Sequence, residues 1–129
     1  MMFPKKARGK KTSKQRLKNR LDLLFSEYIR TRDADKGCVT CGGYGTKDCG
    51  HFISRRFLYT RWDERNAHGQ CLKCNRFLHG EQYRHGLAID RMYGEGTAEL
   101  LEKLSKITLK PTFEWYEEKI SYFKGLLNE

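Results

Sequence analysis

No stretch of this chain is apolar over anything near the length that spans a bilayer, and residues 1–18 hold no hydrophobic region fit for a secretory signal. A soluble intracellular protein is expected. Apolar material is short throughout: hydrophobic residues make up 38% of the 129 and charged residues 33%. That suffices for a modest single core, makes two compact domains a tight fit, and favours help from a metal or a partner subunit. There is no internal repeat. Acidic residues are scarcest at the start, where residues 1–32 carry two against eleven Lys/Arg. Residues 33–80 carry five against eight, and residues 81–129 reverse the balance with nine against seven. A net charge of +10 distributed this way points to a polyanion. Arginines recur in the middle as well as in the basic arm, which favours nucleic acid over a merely solvated tail or an arm that neutralises a neighbouring subunit.

Residues 1–13 are lysine-rich, with Lys5, Lys6, Lys10 and Lys11 in a stretch expected to stay disordered until it meets phosphate. From Lys14 onward, Leu17, Leu21, Leu24, Phe25, Tyr28 and Ile29 form one helical stripe. Lys18, Arg20 and Asp22 take the other face, and Gly37 offers a stop. This basic helix, residues 14–32, is suited to packing on one side and following a DNA strand on the other, with Lys14 and Lys18 among its contacts. Residues 38–75 read as loops and short strands: a knuckle at "CVTCGGYG", a strand at "HFISR" and another at "AHGQC". Helix returns after Cys71 in two pieces hinged near Gly80. Thr97 is the expected N-cap of "AELLEKLSK". Phe113, Tyr116, Ile120, Phe123 and Leu127 define a C-terminal amphipathic helix. Its stripe serves either the chain's own core or, with Trp115 and Tyr122 at its edge, a dimer.

Cys38-x2-Cys41 and Cys71-x2-Cys74 are two CxxC pairs 29 residues apart. Four thiolates suit a closed tetrahedral zinc site, since each pair binds from one tight turn. A reducing compartment disfavours disulfides, and no βαβ pattern surrounds either pair to suggest a thioredoxin-like motif. Zn²⁺ would pin the ends of an insertion that contains His51, Arg55, Arg56, Arg61, Asn66 and His68. Cys49 lacks a sixth cysteine to pair with and reads as a buried thiol.

"CGHFISR", "TRWDERNAHGQCLKCN" and "FSEYIRTRD" resemble the phage lambda NinG (Rap) recombination proteins over residues 22–95. More distantly, the frame is similar to the HNH or ββα-metal nucleases, including the endonuclease VII type. The resemblance implies a small α+β fold with three parts. These are a zinc-stapled HNH-like core over residues 33–95, the N-terminal basic amphipathic helix, and a C-terminal helical segment over residues 96–129. It implies cleavage of branched DNA, Holliday junctions included, with His51 as general base and Asn66 ordering the loop that orients it. Asn75 would hold a catalytic Mg²⁺ or Mn²⁺. A histidine titrates in the range needed to activate water, and a divalent cation stabilises charge on the phosphate. Many HNH enzymes place a metal-ligating aspartate before the base histidine; here Gly50 stands there. Asp48, reaching over the space beside Gly50, and His79, one helical turn beyond Asn75, are the two candidate replacements, with Glu64 third. Arg55, Arg56, Arg61, Lys73 and Arg76 would position phosphates. Phe57 or Tyr59 could stack on an unpaired base, and Trp62 would pack the loop on the zinc site. The resemblance places the protein in the cytoplasm of a bacterial host, with phage or host recombination proteins as further partners. Symmetric junction cutting would call for a homodimer through the terminal helix. Two rivals stand beside this reading: a DNA-binding recombination accessory that does not cut, and an HNH nuclease of broad DNA or RNA specificity.

Overall fold

A computed structural model describes residues 12–128. The expected disordered arm, with Lys5, Lys6, Lys10 and Lys11, lies outside the described residues except for its last two positions. Those begin helix α1 (Ser13–Arg32). Thr12 caps it: its hydroxyl accepts from Gln15 N–H at 3.2 Å, and the Gln15 side-chain carbonyl accepts from Thr12 N–H at 2.8 Å. This reciprocal box satisfies two donors the first turn cannot. Leu21, Leu24, Phe25 and Ile29 are buried along one face, as the stripe requires.

Two antiparallel strands follow, β1 (Lys47–His51) and β2 (Ala67–Cys71), paired from Lys47↔Cys71 to His51↔Ala67. The expected strand "HFISR" is therefore misplaced, because β1 ends where that stretch begins. Phe52 N–H donates to Asn66 O at 2.8 Å, and Asn66 then grips the Ile53 backbone from both sides, turning the chain out of the sheet. The intervening segment carries helix α2 (Leu58–Arg61) and a 3₁₀ turn (Glu64–Asn66).

Strand alternation splits the hairpin into two faces. Cys49 and His51 look toward α1, where Phe25 packs 5.7 Å from the His51 ring. Asp48, Gly50, His68 and Gln70 look the other way, toward a π-helical turn (Lys73–Phe77) and helix α3 (Gln82–Tyr93). His79, Gly80 and Glu81 all have positive φ (53°, 87° and 48°), which breaks the two helical pieces apart at the expected hinge.

Helix α4 (Thr97–Ser105) starts one residue earlier than expected. Its N-cap is Gly96 at φ 92°, and the Thr97 hydroxyl donates to Gly94 O at 2.7 Å instead of capping. Helix α5 (Phe113–Leu126) is capped by Thr112 and lies on α1. Tyr116, Ile120 and Phe123 are buried there, with Phe25 and Phe123 in edge-to-face contact at 5.2 Å. The apolar stripe of α5 thus serves the chain's own core, while Phe113, Tyr122 and Leu126 stay exposed. Among the described residues no helix is long and apolar enough to cross a membrane.

Candidate functional site

Cys38, Cys41, Cys71 and Cys74 bring their sulfur atoms within 4.8 Å of one another. Tetrahedral Zn–S bonds of about 2.3 Å require sulfurs about 3.8 Å apart. Cys41 and Cys71 Sγ stand at 3.7 Å. The four can hold a metal such as zinc. Burial alone would raise the Cys38 thiol, yet hydrogen bonds from the Thr40 hydroxyl and from backbone N–H groups of Cys41, Cys71 and Thr40 bring it down to about 6. That favours the thiolate at Cys38, whereas burial and the neighbouring Cys71 and Cys41 thiols push Cys74 up to about 12. One pair sits in the knuckle after α1; the other straddles the end of β2 and the π-helical turn. A metal here would fasten both ends of the segment that carries the remaining candidates.

Within that segment, Asn66 organises the backbone. Its side chain is fully buried. It accepts from Ile53 N–H at 2.8 Å and donates to the Ile53 and Thr60 carbonyls at 3.1 and 3.0 Å. The loop so fixed sets the Arg61 carbonyl 2.8 Å from His51 Nε2. A carbonyl only accepts, so Nε2 carries the proton and Nδ1 of the neutral ring keeps a lone pair. Burial pushes the imidazole down to about 4; the Arg61 carbonyl opposes that shift, and the charges of Arg55 and Arg61 reinforce it. His51 lines a cleft of about 430 Å³ between α1 and β1, together with Asn19, Asp22, Ser26, Cys49 and Arg55.

Asn75 is elsewhere. It sits in the π-helical turn and donates to Asp48 Oδ2 at 3.0 Å. Arg76 clamps the same carboxylate, with Nε at 2.9 Å and Nη2 at 3.2 Å. Asp48 and His51 leave β1 on opposite faces, so Asn75 joins Asp48 and does not join His51. The space beside Gly50 is not open either. A Cβ there would come within 2.9 Å of Gln70 Cβ and collide with the Gln70 amide. That amide donates to Gly80 O at 2.7 Å and Thr40 Oγ1 at 3.1 Å. His79 is not one turn beyond Asn75 on a helix: it lies past the end of the π-helical turn, exposed, at φ 53°. Glu64 accepts from Tyr122 Oη at 2.6 Å and lines a different cavity.

The basic candidates divide. Lys14, Lys73, Arg55, Arg56 and Arg76 are exposed, and Lys18 is half-buried. Arg61 does not face solvent: it is held by Asp22 through Nε at 3.0 Å and Nη2 at 2.6 Å, and it donates to Arg55 O. Trp62 packs against Trp115 and Tyr116 in the helical core, not on the four-cysteine cluster. Its indole N–H also goes to Asp22, at 2.9 Å. Asp22 is the residue missed in the sequence. Burial alone would raise its carboxyl, but Arg61, Trp62 and Arg55 hold it below the ordinary range. Asp22, with Glu27 one of two acids in α1, was the available signal. Also unforeseen is the buried chain on the other face, where His85 Nε2 meets His68 Nδ1 at 2.9 Å and His68 Nε2 meets Tyr93 Oη at 3.0 Å.

Protein ninG of Escherichia phage 933W is 31% identical over 78 residues, which is 58% of this chain and 39% of that protein. Protein ninG of Salmonella phage P22 is 39% identical over 56 residues, 41% of this chain and 28% of its own length. Protein ninG of Escherichia phage lambda is 30% identical over 78 residues, again 58% of this chain and 38% of that protein. The chain thus spans about two fifths or less of these relatives. No solved structure matches. The model of the family described as "Bacteriophage Lambda NinG protein" matches residues 4–129, and the chain belongs to the NinG family.

Proposed function

We propose that the protein is a metal-dependent endonuclease of HNH type that cuts branched DNA. The observation that carries this reading is the state of His51. Its Nε2–H is tied to the Arg61 carbonyl, its ring is neutral at physiological pH, and Nδ1 is without a hydrogen-bond partner among the described residues. A base so prepared can take a proton from a water directed at a phosphate lying in the cleft. Arg55, exposed at the same cleft, offers that phosphate a charged hydrogen-bond donor. Asn66 positions the base by fixing the loop that supplies the Arg61 carbonyl.

Asp48 offers a carboxylate of the kind Mg²⁺ and Mn²⁺ prefer, and the Asn75 amide, which meets it through its N–H, would turn to add its oxygen. An ion held there would lie on the face of the hairpin opposite His51, so it would stabilise charge on a phosphate only where the bound strand also reaches that face. Gly50 contributes no ligand, and Arg76 must release Asp48 for the carboxylate to serve as one. Zn²⁺ on the four cysteines would be structural. A second reading, a junction-binding accessory that does not cut, draws support from the Gln70 side chain filling the place beside Gly50.

Incubating a four-way junction, a linear duplex and a single strand with Mg²⁺ or Mn²⁺ tests these readings together. The wild type should cut the junction, and His51→Ala should cut at least about a hundredfold more slowly, as expected for loss of a general base. Equal cutting by both proteins would remove His51 from the chemistry. Binding without cutting would select the accessory.

A further inference from the structure

A second cavity, of about 520 Å³, lies beyond the loop from the His51 cleft. Tyr59, Trp62, Trp115 and Tyr122 supply its aromatic walls, and Glu64, Lys119 and the ion-paired Asp63 and Arg65 its polar ones. The two indoles pack on each other with ring centres 5.5 Å apart. Lys119 Nζ sits over the Trp115 and Tyr122 rings at 5.6 and 6.0 Å. Glu64 Oε1 accepts from Tyr122, which fixes the carboxylate; the Tyr28 hydroxyl also approaches it, and its remaining lone pairs can take a further donor. Tyr59 is 41% exposed, a large ring that the core does not use. The wall toward the cleft is thin. Trp62 lines this cavity and its N–H donates to Asp22, which lines the cleft, so one hydrogen bond separates the two spaces.

We propose that this cavity receives an unpaired nucleobase from the strand whose phosphate occupies the His51 cleft. The inference rests on the nucleic-acid reading of that cleft. Aromatic faces stack on any base. A fixed carboxylate oxygen accepts hydrogen bonds: the amino groups of cytosine, adenine and guanine donate them freely, whereas thymine offers only its N3–H, flanked by two carbonyl oxygens that repel a carboxylate. Lys119 is placed to meet a flanking phosphate. The aromatic side chain of a peptide would fill the same walls but bring no donor to the Glu64 carboxylate. The chain's net charge of +10 also suits a polyanion better than a protein partner.

Trp62 and Trp115 are the chain's two tryptophans, so intrinsic fluorescence reports on this cavity directly. The zinc-loaded full chain is titrated, without Mg²⁺, with short oligodeoxycytidine, oligothymidine and an abasic strand of equal length. Binding is followed by anisotropy of the labelled strand and, in parallel, by tryptophan emission. Oligodeoxycytidine should bind about tenfold more tightly than the abasic strand and quench the emission. Tyr59→Ala should bring its affinity down to the abasic level with far-UV circular dichroism unchanged. Glu64→Gln should erase the preference for cytosine over thymine. Equal affinity for base-bearing and abasic strands, with no quenching, would overturn the pocket while leaving the DNA reading intact. Failure of every strand to bind at low salt would overturn both. Quenching by an aromatic tripeptide and not by any strand would give the cavity to a protein partner and sink the proposal.

Discussion

Replacing Asp22 by asparagine removes a charge on which three side chains depend. Arg61 reaches it with two nitrogens, Arg55 with one, and Trp62 with its indole N–H, at distances from 2.6 to 3.1 Å. The Asp22 and Arg61 side chains are only 19% and 12% exposed, so water recovers little of what is lost. Breaking a buried ion pair from one side costs about 3–5 kcal/mol. The amide keeps one acceptor and some exposure remains, so we take the lower end, about 3 kcal/mol. With a urea dependence of about 2 kcal/mol per molar, the unfolding midpoint should fall by about 1.5 M. Trp62 and Trp115 report the transition by fluorescence. The sign with pH is fixed by the carboxyl's lowered value. Its contribution is complete above the unfolded value near 4 and disappears as pH falls through the folded one, so the gap between the two proteins should close below about pH 4. An unchanged midpoint at pH 7, or a gap that persists undiminished in acid, would refute the assignment of this stability to the Asp22 charge.

The cysteine site and the buried histidines give two more expectations. Chelation, or Cys74→Ser, should release one zinc per chain by elemental analysis and unfold the hairpin, since such sites contribute about 10–16 kcal/mol, comparable to or above the net stability of a domain; a chelated protein with an unchanged amide-exchange pattern would contradict this. His51, His68 and His85 are pushed down by burial to about 4, about 4 and about 3. The unfolded chain takes up their protons first, so stability should fall as pH drops from about 6.5 toward 4, by up to about 1.4 kcal/mol per pH unit for each ring. Histidine titration by NMR with all three near 6.5 in the folded protein would remove the effect.

Local pattern was enough for α1, for β2 at "AHGQC" and for the four cysteines, because each is written within one turn or one alternation. The misplacements arise from contacts between distant positions. Residue 53 has strand-like neighbours, yet its backbone is claimed by Asn66, 13 positions on. Arg61 reads as a phosphate contact until Asp22, 39 positions earlier, is found under it. His79 falls out of phase because the turn after Cys71 is wound as a π-helix and then reverses at three positive-φ residues. The pairing of Asp48 with Asn75 could be named from the sequence, but Arg76 on the same carboxylate could not.

Gly50 and Gln70 bear on how this hairpin can change. An aspartate at position 50, the residue many HNH enzymes carry, would displace a Gln70 amide that ties β2 to Thr40 and Gly80. The two sites are therefore epistatic: shortening residue 70 opens the way for a carboxylate at 50, while the reverse order passes through a crowded intermediate. An engineered route to a carboxylate at position 50 should begin with residue 70.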